Sequence, residues 1–573
     1  MRAIFPVLLI TLSIYIYACA NQGTPTGGPR DTIPPTLLET LPINKSTNYK
    51  NKQFKFVFNE RVSADKLKSQ LLITPHIENK YSVKVRKNEL TLDFDDDFND
   101  STTYTLNFSE GVVDLTEKNP VVNLTFAFST GQHIDSIYIN GKVTDLYTNK
   151  SQSQFIVGLY PLTDSTNLLE DKPRYFAKTN EQGQYLIENI KNGYYKILTF
   201  EDQNKNLTLD PETEPHGFLA DSTNLNLSLD SIRLYTQLIN ASSFKFIRSK
   251  TTGRYFDLQY NKPVFSININ KADSSENLNL PWFNKIKSNK TIRFYPDTTF
   301  RYDIDSLKVI VHAVDSMSNQ TIDTVHVKFI ESSRKAETFS YKLSPQSGSF
   351  IRQNVLHTYT FNKPIKTFNK DSIKIHYDSL AIQGIPDSTI EWNINRTKLQ
   401  FETFIDQNYL KSQIDTLLKI YSDTTLTDSV SLLKKDYYSQ VKTNQITIAF
   451  PKGTFISLED DSTEAVRNTH KFNSLDQLGS IAGTINSSHQ SYILQLVNPK
   501  YEVIEEIINP KQFSFTHVKP GKYTFRIMID TNQDGTWSYG NILQDRTPEE
   551  IYFYPEIFDV RANWELENIQ ITF

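Results

Sequence analysis

The chain has 573 residues, and at roughly 100–200 residues per domain that length predicts about three to five domains rather than one core. Lys+Arg 61 against Asp+Glu 65 leaves a formal net charge of −4, which removes the basic footprint a nucleic-acid partner needs. A single cysteine excludes an intrachain disulfide and a Cys-based zinc cluster, while 36 Phe and 30 Tyr against 19 Gly lean towards strand-forming sequence.

Met1–Ala20 reads MRAIFPVLLITLSIYIYACA: one Arg, an apolar run from Ala3 to Ala18, then the lone cysteine. A short basic start and an apolar stretch of this length fit a secretory signal better than a spanning helix. The end, Ile16-Tyr17-Ala18-Cys19, resembles the lipobox of bacterial lipoproteins, with Tyr17 standing where a small or aliphatic residue is usual. That resemblance implies cleavage before Cys19 and acylation of its thiol, and two or three acyl chains anchor stably where one does not. Residues 1–19 are therefore expected to be a lipoprotein signal peptide. Residues 20–35, rich in Gly, Pro and Thr, are expected to be a flexible tether. The expected location is the outer membrane, on its periplasmic or cell-surface face.

From residue 36 onward, period-2 alternation dominates, as in Phe54-Lys55-Phe56-Val57-Phe58 and Glu89-Leu90-Thr91-Leu92-Asp93-Phe94. Short strands broken by Asn, Asp, Gly and Pro clusters predict an all-β chain of tandem β-sandwiches in an elongated multidomain array. Phe56-Val57-Phe58-Asn59-Glu60-Arg61-Val62 aligns with Leu258-Gln259-Tyr260-Asn261-Lys262-Pro263-Val264 and with Tyr359-Thr360-Phe361-Asn362-Lys363-Pro364-Ile365. Each reads as a strand, an Asn able to form an Asx-turn, then a kink that tolerates Pro. With Pro42-Ile43-Asn44-Lys45-Ser46 upstream, and Thr102–Leu106 and Phe126–Gly131 downstream, the first copy resembles the SbsA-type bacterial Ig-like family of S-layer and envelope proteins. Arg61 and Ser347 depart from that family's pattern. The resemblance implies Ig-like domains at 36–131, 238–333 and 336–475, acting as spacers or adhesive modules without catalytic residues. Within the third, Leu410, Ile414, Leu417 and Leu418 recur at helical spacing and predict a helical insertion over about Asp406–Lys442.

A second repeat interleaves with the first. Tyr185–Tyr195 aligns without gaps onto Phe513–Tyr523, and each copy has an upstream Gly-bearing strand, Gly141-Lys142-Val143 and Gly483-Thr484-Ile485. The order G-x-[VI], a strand, then [NP]-G-x-Y resembles the prealbumin-like, CnaB-type β-sandwich and implies such domains at 134–235 and 478–573. The Gly before each x-Tyr, Gly193 and Gly521, is expected to supply the positive φ of a turn. The whole order resembles a family of Bacteroidota lipoproteins. It implies a non-catalytic, lipid-anchored envelope protein with a structural, spacer or protein-interaction role. The alternative is a glycan-binding or glycan-processing lipoprotein beside a transporter, with envelope proteins or glycans as partners.

Few residues offer chemistry. Asp530-Thr-Asn532-Gln-Asp534-Gly535 is the first half of a calcium loop, with oxygen ligands at alternate positions and Gly at the bend. Position twelve is Asn541 rather than a bidentate Glu, which rules out an EF-hand, and Asp545 is the next carboxylate available. The sister loop carries Asp202, Asn204 and Asn206 with one charge and no Gly. Calcium, in a structural role, is the only cofactor expected. Nucleophile-elbow, phosphate-loop and zincin motifs are absent from the sequence, so no catalytic residue is expected and the protein is read as no enzyme. Trp282, Trp392, Trp537 and Trp564 are candidates for a sugar platform, against ordinary core roles. Asp-Ser/Thr tripeptides recur well above the two or three that composition gives. They resemble the acceptor of Bacteroidota O-glycosylation, which makes Thr32, Ser136, Ser231, Ser306, Thr324, Ser372, Ser379, Thr416 and Ser429 candidates. Turn chemistry in a β-rich fold is the competing explanation.

Overall fold

Strict alternation decides which face of each strand is buried in the computed structural model of the chain. The structure describes residues 31–573 except 79, 275–277, 297–299, 303–304, 352–353, 378–379, 386, 405–411, 413–414, 417–418, 420–432, 434–444 and 473–476. Signal peptide, Cys19, most of the tether, Ser379, Ser429 and the four leucine and isoleucine positions of the expected helix lie outside the described residues. The fold is all-β, and helical elements among the described residues are as short as Leu67–Gln70. The chain divides into two compact units. One comprises Met1–Val143, Gln152–Thr208 and Ser222–Arg233. The other comprises Thr144–Ser151, Leu209–Asp221 and Leu234–Phe573.

In the first unit, Phe54, Phe56 and Phe58 on strand Gln53–Phe58 are fully buried, alternating with the half-buried Lys55 and Val57. Phe54 lies opposite Leu92 and Phe56 opposite Leu90, so one face of the pair is wholly apolar. The sheet runs Leu37–Leu41, Gln53–Phe58, Glu89–Phe94, Tyr81–Arg86. It is packed on a second sheet of Leu72–Thr74, Thr103–Asn107 and Thr125–Ser129. Burying these rings contributes on the order of 2 kcal/mol each.

The second unit repeats that order twice. Phe246–Thr252, Tyr255–Tyr260, Thr291–Tyr295 and Trp282–Ile286 form one four-stranded sheet; Tyr341–Ser344, Asn354–Phe361, Lys398–Phe404 and Glu391–Trp392 form another. In all three copies the second strand carries the shared Asn turn. Each copy has its own apolar cluster.

The interleaved repeat is also realised twice, and its glycines have a steric cause. Gln184–Ile190 flanks Ile137–Asp145 in one copy, and Gln512–Val518 flanks Gly479–Asn486 in the other. A Cβ on Gly141 would stand 1.8 Å from the Ile232 carbonyl oxygen, and one on Gly483 2.1 Å from that of Ile569. In each copy the last strand therefore approaches where only hydrogen fits. Gly193 and Gly521 open the strands Gly193–Phe200 and Gly521–Ile529 with φ of +156° and +158°. That positive φ is the one expected of these glycines, a backbone conformation that L side chains rarely adopt. Two residues on, the Tyr195 hydroxyl donates to the Lys191 carbonyl at 2.8 Å and the Tyr523 hydroxyl to the Lys519 carbonyl at 2.9 Å. Those bonds explain why the x-Tyr pair repeats.

Candidate functional site

The Asn of the Ig-like repeat does not make a local Asx-turn. Asn59 Oδ1 accepts from the Thr36 amide at 2.7 Å, 23 residues back. Asn261 Oδ1 accepts from Lys245 N at 2.8 Å while its Nδ2 donates to the Ser243 carbonyl at 2.8 Å. Asn362 does the same with Ser340 N at 2.8 Å and the Thr338 carbonyl at 2.9 Å. A carboxamide presents the donor and acceptor of a peptide group, so it extends the ladder to the first strand instead of closing its own turn.

The lysine after that Asn went unremarked in the sequence, and among the described residues it is the most buried cation in each of the two copies that carry it. Lys262 is 2% exposed and forms an ion pair with Asp315, 3% exposed, while donating to the Asn240 carbonyl at 3.2 Å. Asp315 in turn accepts the amides of Met317 and Asn319, both at 2.9 Å, which shapes the turn after Ser306–Val314. Lys363 is fully buried and 2.6 Å from both Glu459 and Asp461. The hydroxyl of Tyr255 donates to both oxygens of Glu459, at 3.0 and 2.9 Å, joining the sheet of Tyr255–Tyr260 to the sandwich that holds Asn354–Phe361. Beside that junction, Tyr295 donates to the Asn362 carbonyl at 3.1 Å. A fully desolvated ammonium with two carboxylates stabilises chiefly by its geometry, because the charges are costly once one partner is missing. In the first copy the position is Glu60, and its carboxyl pKa is raised by desolvation and by the nearby Asp31, Asp114 and Glu117.

The Asp530 loop is a structured turn. Asp530 is 3% exposed; its Oδ2 accepts from Gly535 N at 3.0 Å and Ser491 Oγ at 2.7 Å, and its Oδ1 is buried without a partner. Asn532 Oδ1 accepts from Asp534 N at 2.9 Å, and Asp534 Oδ1 from Thr536 N at 2.9 Å. Bonding to Thr536 holds the Asp534 carboxyl below its ordinary value. The carboxylate that closes the loop is Glu549, which sequence reasoning missed. Its Oε1 accepts from Thr531 N at 2.8 Å and Asn532 N at 3.1 Å, and its Oε2 from Ser538 N at 2.7 Å. Asn541, at position twelve, points elsewhere: it caps Ile542–Gln544 and donates to Met317 O at 3.0 Å. In the sister loop, Asp202 already accepts the amides of Asn206 at 3.1 Å and Leu207 at 3.2 Å, one on each oxygen. Asn206 Oδ1 takes Thr208 N at 2.7 Å, and Asn204 Oδ1 takes Asn206 N at 3.1 Å. Among the described residues no group of three or more His, Cys, Asp or Glu side chains is placed to share a metal ion.

Thr32, Ser136, Ser231, Ser306, Thr324 and Thr416 are exposed, and Ser372 is half-buried, its hydroxyl donating to the Asn369 carbonyl at 2.7 Å. The four tryptophans have separate partners rather than one platform. Trp392 packs against the apolar cluster around Tyr359 and Phe361, Trp537 meets Tyr147 and Tyr539, Trp564 lies under Arg561, and Trp282 pairs across from Tyr295. No helix among the described residues is long and apolar enough to cross a membrane.

Residues 31–130 match a family described as the bacterial Ig-like domain. The class defined by fold and match is thus a multidomain β-sandwich protein whose first sandwich is Ig-like. No curated protein matches the chain. Among solved structures it is similar to the N-terminal part of the bacterial S-layer protein SbsC, at 15% identity and a TM-score of 0.14, over 34% of this chain and 42% of that one. It is similar to the S-layer protein rSbsC at 10% identity and TM-score 0.15, over 92% and 67% of the two chains. It is also similar to BcpA, the major pilin subunit of Bacillus cereus, at 10% identity and TM-score 0.12, over 76% and 98%.

Proposed function

We propose that the chain is a non-catalytic, lipid-anchored envelope protein that presents or bridges surfaces through five β-sandwiches at 36–131, 134–235, 238–333, 336–475 and 478–573. The observation that carries this reading is the reuse of its chemistry-bearing residues for architecture. Asn59, Asn261 and Asn362 tie strands together, the buried Lys262 and Lys363 pair with carboxylates, and Glu549 closes a turn. The Ig-like match over 31–130 supports it. The anchor is read at Cys19 in the outer membrane. Replacing Cys19 with Ala should release the protein to the soluble fraction, and retention in the membrane would refute the anchor. Crosslinking the intact envelope followed by mass spectrometry tests the bridging role. Recovery of no partner protein, with a soluble small-molecule turnover found instead, would overturn it.

Two modifications belong to the same reading. The exposed Asp-Ser/Thr hydroxyls, Thr32, Ser136, Ser231, Ser306, Thr324 and Thr416, are proposed as O-glycosylation sites, checked by mapping glycopeptides of the native protein. The Asp530–Asp534 loop is proposed to take Ca²⁺ as a structural clip, supported by the unpartnered, buried Asp530 Oδ1. Two carboxylates and one carboxamide leave the remaining ligands to backbone carbonyls and water.

A further inference from the structure

Where the second Ig-like sandwich meets the segment leading to the third, a cleft of about 390 Å³ opens, within the range of ligand sites. Its walls are the hairpin turn around Gly253, the turn around Lys287, and residues 334–337. Five of the eleven lining residues are cationic: Arg254, Lys287, Arg293, Arg334 and Lys335. Over the chain such residues are 61 of 573, and the net charge is −4, so the concentration here is local.

Two of the five are already committed. Arg293 holds Asp257 in a fork, at 2.8 and 3.0 Å, and reaches Glu337 at 3.3 Å. Arg254 lies 3.6 Å from Glu459. Lys287, Arg334 and Lys335 are exposed and have no ion pair among the described residues. Their placement is fixed by backbone. Lys287, Ser288 and Asn289 are all left-handed, with φ of +51°, +54° and +62°, which sets the turn. The Arg334 stem passes 3.8 Å from where a Gly253 Cβ would be, so the linking segment runs along the opposite turn. Between these charged walls, Ile286 and Ala336 supply apolar surface.

We propose that this cleft binds an acidic oligosaccharide, whose carboxylates are held by Lys287 on one wall and by Arg334 and Lys335 on the other. Unpaired cations on two walls call for a ligand with more than one anionic group. A recess below two hairpin turns admits a sugar chain, whereas a flat lipid surface would meet only its rim. Apolar flanks suit the C–H faces of sugar rings. The proposal goes beyond the architectural role and needs neither the anchor nor calcium.

Calorimetric titration of the full chain with hexagalacturonate tests it, with the fully methyl-esterified hexamer as the uncharged control. Hexagalacturonate should bind, more weakly as salt rises, and the ester at least about tenfold more weakly. The variant K287E/R334E/K335E should lose affinity by about tenfold or more with its thermal unfolding unchanged, since all three side chains are exposed. Should it misfold, Lys287→Gln with Arg334→Gln supplies the same comparison. No binding by the parent chain, equal binding by the variant, or equal binding of the ester would each overturn the proposal. So would phosphatidylglycerol vesicles binding through these three cations while hexagalacturonate does not.

Discussion

Acidification should weaken the sandwich built on strand Asn354–Phe361 through a histidine that cannot be protonated in place. His357 is fully buried on strand Asn354–Phe361, with its Nε2 3.0 Å from Thr403 Oγ1 and its Nδ1 without a partner. Its ring lies 5.1 Å from Phe401 and 5.8 Å from His470. Burial first, and the neighbouring His470 second, push its pKa from 6.5 down to about 3. Burial lowers His470 as well. Below pH ~6.5 the unfolded chain takes up a proton that the folded chain refuses until pH ~3. Stability is therefore fully present above about pH 6.5 and is lost progressively as pH falls towards about 3. At about 1.36 kcal/mol per unit, the roughly 1.5 units down to pH 5 cost about 2 kcal/mol through His357 alone. Urea unfolding can read this from Trp392, which packs on the same core, once Trp282, Trp537 and Trp564 are replaced by Phe. His357→Gln keeps a hydrogen-bonding group for Thr403 and removes the titration. The stability difference between pH 7 and pH 5 should shrink by about 2 kcal/mol in that variant. An undiminished pH dependence would refute the reasoning.

Lys363→Met strands Glu459 and Asp461. Because Tyr255 and Arg254 still face Glu459, the loss should sit near the low end for broken buried pairs, about 3 kcal/mol, and adding Glu459→Gln should recover part of it. A loss below about 1 kcal/mol by denaturant midpoint would argue that the pair is energetically idle. Gly483→Ala forces a methyl against the Ile569 carbonyl and the Phe513 ring, 2.1 and 2.8 Å away, and should cost about 2–3 kcal/mol. A melting temperature equal to the parent's would show that the strand can shift. Calcium at a few times its Kd should add about 1 kcal/mol of stability relative to chelator, read as a higher melting midpoint. That gain should vanish in Asp534→Ala; if midpoints with calcium and chelator coincide, the loop is a turn only.

The sequence by itself determined the elements whose cause is local. Alternation along Gln53–Phe58 and Glu89–Phe94 is a property of the pleat, so the buried face could be read one residue at a time. The two interleaved repeats were legible for the same reason, because each copy must satisfy the same turn and strand geometry. Partners were not legible. Asn362 was readable as a turn residue, yet its carboxamide reaches Ser340, 22 residues away. Lys363 carries no mark of its role in the sequence, but burial and the Glu459 and Asp461 carboxylates, nearly a hundred positions on, make it the junction's charge centre. Glu549 was one acid among many until the fold brought it to the amides of Thr531, Asn532 and Ser538. The cationic cleft assembles from three segments that share no motif. Periodicity reports which way a side chain points; what it meets there depends on chain closure over tens of residues, and only tertiary packing decides that.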